Sequence, residues 1–271
     1  MVDSRLKILL ETLERMQSAL LAYSGGVDST FLLKVLQIAG IKTLAVTASS
    51  ELIPSNDLLN AKKMAEELLM EHRVIKSEEL LMEEFVRNTP ERCFFCKDVL
   101  FQKLLAIAST EGYEFILDGT NRDDTEDYRP GRKAAMKYKV RSALIETGLS
   151  KNEIRELSRQ LGLSTWDKPS SPCLATRIPY GQRITKEALN RVGKAEHFLR
   201  SLGFHEIRVR DHGSLARIEV GEHEIDLMFS HEKRMIISRT LKSFGYQFIS
   251  LNLEGYKSGS MNRVLKDRDS L

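Results

Sequence analysis

The 271-residue chain has little cysteine, little net charge and no long apolar run. Three cysteines, Cys93, Cys96 and Cys173, are an odd number, and no secretory signal accompanies them. That argues against a disulfide framework and for a reducing cytoplasm, where thiols are free for metal or sulfur chemistry. A net charge of +3 is too small to point to a nucleic-acid partner. No stretch approaches the roughly 18 apolar residues of a membrane-spanning helix, so no membrane partner is expected. Residues 1–16 do not read as a signal peptide. Asp3, Arg5, Lys7, Glu11, Glu14 and Arg15 are spread through them, while Leu6, Leu9, Leu10, Leu13 and Met16 recur at helical spacing. Internal repeats and low-complexity segments are absent.

Hydrophobic residues make up 42% of the chain and charged residues 29%, which gives a sizeable core and a solvated surface in one large domain or two modest ones. The first half alternates strand and helix. Residues 19–23 are a short apolar run ending at Ser-Gly-Gly, residues 30–38 are helical, and Gly40 stops them. Residues 43–47, 72–75 and 115–117 read as further strands, with helices marked by Leu58, Ala61, Ala65 and Leu68 and by Leu100, Leu104 and Ile107. Repeated β-α-β units of this kind predict an α/β fold with a parallel, doubly wound sheet. Pro169, Pro172 and Pro179 break the pattern. The domain boundary is therefore placed here, giving domains 1–168 and 169–271. The second part reads as a smaller α+β unit of order α-β-β-α-β.

The strongest local signal is Ser24-Gly25-Gly26-Val27-Asp28-Ser29-Thr30, directly after the strand that ends near Ala22 and directly before a helix. Two glycines allow a tight turn that brings N–H groups to an anion, and the helix adds its positive end. Ser24, Ser29 and Thr30 supply hydroxyls, and Asp28 is a candidate helix cap. This loop resembles the PP-loop of the ATP-pyrophosphatase superfamily; it lacks the Gly-Lys-Ser/Thr ending of a Walker A loop. The resemblance implies grip on the pyrophosphate end of ATP, with Mg2+ on the phosphates and AMP-forming chemistry. Phe115-Ile116-Leu117-Asp118-Gly119-Thr120-Asn121 is a strand ending in a polar turn, and ligands of open α/β sheets bind at such ends. Asp118, Gly119 and Thr120 are thus assigned to the nucleotide site, with Asp118 near magnesium or ribose. Thr47, at the end of the second strand, is assigned to the adenine pocket. Asp123, Asp124, Glu126 and Asp127 read either as metal ligands or as a solvated acidic loop.

Cys93-Phe94-Phe95-Cys96 spaces two thiolates to converge on one ion or cluster; a redox pair or half a zinc site fits the same spacing. Cys173 lies in Lys168-Pro169-Ser170-Ser171-Pro172-Cys173-Leu174-Ala175-Thr176-Arg177-Ile178-Pro179-Tyr180-Gly181, with a guanidinium four residues on that is placed to lower its thiol pKa. The PP-loop followed by Pro-Cys-Leu-Ala-Thr-Arg-Ile-Pro-Tyr-Gly resembles the LarE-type ATP-dependent sulfur transferases over nearly the whole chain.

That resemblance implies a role in making the nickel-pincer nucleotide cofactor of lactate racemase. A carboxylate of pyridinium-3,5-biscarboxylic acid mononucleotide is adenylated, and a sulfur nucleophile displaces AMP to leave a thiocarboxylate. In single-cysteine members the sulfur is the protein's own, from the cysteine that Cys173 matches. Here Cys93 and Cys96 are added, and the three-cysteine members imply a [4Fe-4S] cluster held by Cys93, Cys96 and Cys173 and fed by sulfide or a sulfur donor; zinc is the rival. Arg208 and Arg210, two apart on one strand, share a face and are assigned to the substrate phosphate, with Arg177 and Glu196 beside them. A homo-oligomer is expected. The competing functions are a tRNA-thiolating PP-loop enzyme, a PP-loop amidating synthetase and a non-catalytic nucleotide-binding regulator.

Overall fold

The computed structural model describes residues 2–125, 129–257 and 259–263. In chain order it contains α1 (Val2–Glu14), β1 (Ser18–Ala22), α2 (Val27–Ala39), β2 (Lys42–Ser49), α3 (Ser55–Glu67) and β3 (Glu71–Lys76). Next come α4 (Glu83–Val86), α5 (Arg92–Glu111), β4 (Phe115–Asp118), α6 (Gly131–Lys137), α7 (Ala143–Glu146) and α8 (Lys151–Gln160). The chain continues with α9 (Lys186–Ser201), β5 (Ile207–His212), β6 (Leu215–Val220), α10 (His231–Ser243) and β7 (Phe248–Leu251). Two compact units result, one of Met1–Glu79 and Glu91–Ser171, the other of Leu80–Pro90 and Pro172–Leu271.

In the first unit, a parallel sheet of order β3-β2-β1-β4 carries the site. Successive strand side chains point to opposite faces, so β1 feeds two cores. Ala19 and Leu21 join Leu9, Leu13, Phe31, Leu32 and Leu157 beneath α1, α2 and α8. Leu20 joins Phe101, Leu104 and Ala134 beneath α5 and α6 on the other face. Both faces of the sheet are covered, which is why β1 reads as an unbroken apolar run. Gly40 ends α2 in the left-handed region.

The second unit pairs β5 with β6 antiparallel and β6 with β7 parallel. Its core gathers Leu199 from α9, Ile207, Val209, Ile218 and Val220 from the strands, and Ile237 and Leu241 from α10. Leu80–Pro90, which the sequence reading puts in the first domain, packs with this unit. The reason is local. Asn88, fully buried at φ 56°, sends its side-chain amide to the carbonyls of Ile178, Pro179 and Gln182, while its own carbonyl accepts from the Gly181 N–H. The Ile184 N–H completes the junction on Val86 O.

Candidate functional site

At the end of β1 the chain turns through Gly25, whose φ of +68° lies in the left-handed region that favours glycine. A Cβ there would also stand 2.6 Å from Ala61 Cβ on α3. Gly26 is the N-cap of α2, and no side chain caps that end. The first amides of a 13-residue helix are therefore left facing outward with the positive end of its dipole. Ser24 Oγ and Ser29 Oγ lie 3.0 Å apart across the turn. Thr30 is buried behind the loop against the Tyr23 hydroxyl.

Asp28 does not cap α2 as expected. Its Oδ2 forms an ion pair with Lys151 at the start of α8, and its Oδ1 is buried with no hydrogen-bond partner. An unsatisfied carboxylate oxygen fits the hard oxygen ligand that a magnesium ion takes.

β4 approaches from the other side. A Cβ on Gly119 would lie 2.9 Å from Ser29 N, so this residue too must be glycine for the strand end to reach α2. Asp118 is buried and accepts from Thr120 Oγ1 at 2.7 Å and Ser142 Oγ at 2.7 Å. Those bonds orient the carboxylate and hold the Asp118–Thr120 turn. Between the two strand ends lies a cavity of about 500 Å³, within the range of small-molecule sites. Ala22, Ser24, Gly26, Asp28, Ser29, Asp118, Gly119 and Thr120 line it. Gly25, Thr30 and Thr47 are not in its lining. Gly25 packs against Ala61 on α3, and Thr30 against Tyr23. Thr47 Oγ1 is spent on Tyr23 O at 2.7 Å and on His72 Nε2 at 2.8 Å; burial, then Lys62, pushes that imidazole's pKa down.

Several lining residues escaped the sequence reading: Lys97, Asn121, Arg129, Lys151 and Ser170. Asn121 and Ser170 lie inside segments singled out above without a role of their own; Lys97, Arg129 and Lys151 come from distant segments, where the Ser150–Glu153 capping box just beside Lys151 was a local signal. Of the acidic run, Asp123 and Asp124 border the cavity. Asp124 is paired with Arg129 at 2.8 Å, and Asp123 accepts from the Lys151 N–H at 2.9 Å. Glu126 and Asp127 lie outside the described residues. Lys168 bridges Gly25 O and Asp57, whose carboxylate also accepts from Ser171 Oγ at 2.6 Å, so the chain leading to Cys173 is fastened to the phosphate loop.

Cys93 and Cys96 are one turn apart at the start of α5 and partly exposed. The Cys96 thiol lies 3.5 Å from Glu79 Oε1. Among the described residues, no three His, Cys, Asp or Glu side chains are gathered as a metal site. The first unit thus offers a two-thiol half-site, and Cys173 belongs to the second unit.

In the second unit, Arg177 makes a buried two-pronged ion pair with Glu196 at 2.8 and 3.0 Å. Its remaining nitrogen donates to Pro172 O, Cys173 O and Thr176 Oγ1. Arg177 therefore grips the backbone carbonyl of Cys173, where the sequence reading expected an effect on the thiol. Burial alone would push the Glu196 carboxyl up, but Arg177, with Arg208 and Arg200, outweighs it and holds the carboxyl below its usual range. Arg208 and Arg210 share a face, as the alternation predicts, and both are buried. Arg210 is paired with Glu219 at 2.7 Å and donates to Thr176 O at 3.0 Å. Arg208 stacks on Tyr256 at 4.6 Å; burial, then the charge of Arg177, pushes its pKa down. Glu224 is also buried, accepting from the N–H groups of His205 and Glu206.

Residues 16–170 match a family model described as a family of unknown function, DUF7411. An uncharacterized protein of Synechocystis sp. is 41% identical, with 98% of this chain and 99% of that protein covered. The pyridinium-3,5-bisthiocarboxylic acid mononucleotide synthase of Lactiplantibacillus plantarum is 36% identical over 95% of this chain and 93% of its own length. An uncharacterized protein of Methanocaldococcus jannaschii is 31% identical over 94% and 96%. No helix among the described residues is long and apolar enough to cross a membrane. With a phosphate loop at the strand ends and similarity that runs nearly end to end, the chain belongs to the LarE-type family of ATP-dependent sulfur transferases, enzymes of the PP-loop superfamily.

Proposed function

We propose that this enzyme adenylates a carboxylate of pyridinium-3,5-biscarboxylic acid mononucleotide and converts it to a thiocarboxylate, in the biosynthesis of the nickel-pincer nucleotide. The cavity between Ser24–Ser29 and Asp118–Thr120 carries the reading, because it joins an uncapped helix N-terminus to a buried carboxylate oxygen without a partner. In this reading the amides at the start of α2, with Ser24 and Ser29, hold the phosphates, and Asp28 holds Mg2+. When bound there, the ion would neutralise charge that builds on the phosphate oxygens. A carboxylate oxygen of the substrate attacks the α-phosphate, the bond to the β-phosphate oxygen breaks, and pyrophosphate leaves. Sulfur then attacks the acyl carbon and AMP leaves.

Ser170 lines the cavity, and Cys173 follows it by three residues. Chain connectivity alone keeps the two Cα atoms within about 11 Å, which supports a role for Cys173 in the sulfur step. Arg177 fixes the carbonyls on either side of the peptide that carries Cys173 and so restricts the loop. The centre behind it brings three buried guanidiniums, Arg177, Arg208 and Arg210, to two buried carboxylates, Glu196 and Glu219. A cluster of buried guanidiniums suits a phosphate monoester, and Arg208 and Arg210 are assigned to the substrate phosphate. Arg177 and Glu196 serve this site by holding the loop and the guanidiniums in place.

The sulfur carrier is proposed to be a [4Fe-4S] cluster on Cys93, Cys96 and Cys173, with sulfide or another sulfur donor as the source and a homo-oligomer as the working form. Such a cluster would supply a soft sulfur nucleophile without consuming the protein. Iron and acid-labile sulfide on anaerobically purified protein test this part. About four of each per chain, lost in Cys93→Ala, are expected; zinc or no metal would contradict it. The adenylation step is tested by pyrophosphate release from ATP and the biscarboxylic nucleotide. Release is expected in the wild type and its loss in Asp28→Asn; equal release without the nucleotide substrate would overturn the reading.

A further inference from the structure

We infer that Lys151 is a pyrophosphate-binding residue of the ATP site, held in reserve by Asp28 until the nucleotide enters. The inference rests on the nucleotide-site reading above. Lys151 is the first residue of α8, and its ammonium is paired with Asp28 Oδ2 inside the cavity that both residues line. Its backbone is fixed from three directions. Its N–H donates to Asp123, the Ser150–Glu153 capping box locks the turn, and Arg5 clamps Glu153 at 2.6 Å. The side chain is the movable part, a flexible four-carbon stem with a third of its surface exposed, 32%.

Charge decides what it does. A carboxylate beside incoming phosphates is repulsive unless a cation lies between them. Asp28 has one oxygen on Lys151 and a second, buried, with no partner. A magnesium ion arriving with ATP takes Asp28, which frees the ammonium to turn to the β- and γ-phosphates. Lys151 then stabilises the leaving pyrophosphate and makes no contact with the AMP half.

Titration calorimetry with Mg2+ and ATP, AMP or inorganic pyrophosphate separates these ligands. Lys151→Met is expected to weaken ATP and pyrophosphate binding by tenfold or more and to change AMP binding by less than twofold. Lys151→Arg is expected to keep most of the affinity. The double variant Asp28→Asn/Lys151→Met distinguishes direct contact from simple neutralisation of Asp28. Direct contact predicts pyrophosphate binding weaker than in Asp28→Asn alone, whereas equal binding would overturn the inference. A matching loss of AMP affinity, or a lowered melting temperature, in Lys151→Met would also overturn it, as a structural role. Wild-type protein that binds neither ATP nor pyrophosphate would remove the nucleotide site itself and this inference with it.

Discussion

The two units arrange their polar groups by different means. In the first, the loop at the end of β1 is shaped by backbone: an uncapped helix end, Gly25 in a left-handed turn, and Gly119 pressed against Ser29 N. In the second, the charged groups are long side chains, buried and already paired, with Arg177 on Glu196 and Arg210 on Glu219. A backbone site needs few ionic partners and tolerates little change in residue volume. A buried side-chain site is held by mutual pairing, so removing one member leaves another charge buried with fewer partners.

The comparison breaks most visibly at Arg177. Arg177→Met leaves buried Glu196 with only Arg200 and the Val209 N–H as hydrogen-bond partners and is expected to cost at most about 3–5 kcal/mol of the second unit's stability, read as a lowered midpoint in urea. The ATP affinity of the first unit should stay within twofold by calorimetry. A midpoint equal to the wild type's would show that the pair carries no weight. The same pair sets an acid limit. Because the Glu196 carboxyl is held down in the folded chain, its stabilisation is full above the ordinary glutamate value, about 4.3, and is lost as pH falls through the lower folded value. Unfolding followed from pH 6 to pH 2 should lose part of its pH dependence in Glu196→Gln.

Gly25→Ala tests the backbone site. The strain of φ +68° on an alanine, with a Cβ 2.6 Å from Ala61 Cβ, is expected to cost about 1–3 kcal/mol. That corresponds to roughly 5- to 150-fold in ATP affinity if it falls on the bound geometry. Unchanged binding would mean the loop is not the phosphate cradle. A smaller effect is expected at Ser150→Ala, which removes the capping-box acceptor beneath Lys151 at about 1 kcal/mol and should lower the melting temperature slightly.

The same contrast explains what the sequence could say. The strand-turn-helix at residues 22–30 was legible because backbone sites need glycines and apolar strands at fixed spacing, and Asp118–Thr120 was legible from its place at a strand end. The partners that close the cavity, Lys97, Arg129 and Lys151, were not, because they come from segments far apart in sequence. Alternation along β5 showed that Arg208 and Arg210 share a face, but not that the face is buried; that follows from Tyr256, Glu219 and Ser260 covering it. Asn88 and the transfer of Leu80–Pro90 to the second unit left no local signal, since one side-chain amide reaching three distant carbonyls is a tertiary event.

The central claim is a division of labour, with activation by ATP at the phosphate loop and sulfur delivery through Cys173. Single-turnover reactions of wild type and Cys173→Ala with Mg-ATP, the biscarboxylic nucleotide and sulfide test it directly, with pyrophosphate and thiocarboxylate measured together. The account predicts that both proteins release pyrophosphate and that only the wild type forms thiocarboxylate. Thiocarboxylate from Cys173→Ala, or no pyrophosphate from either protein, would contradict it.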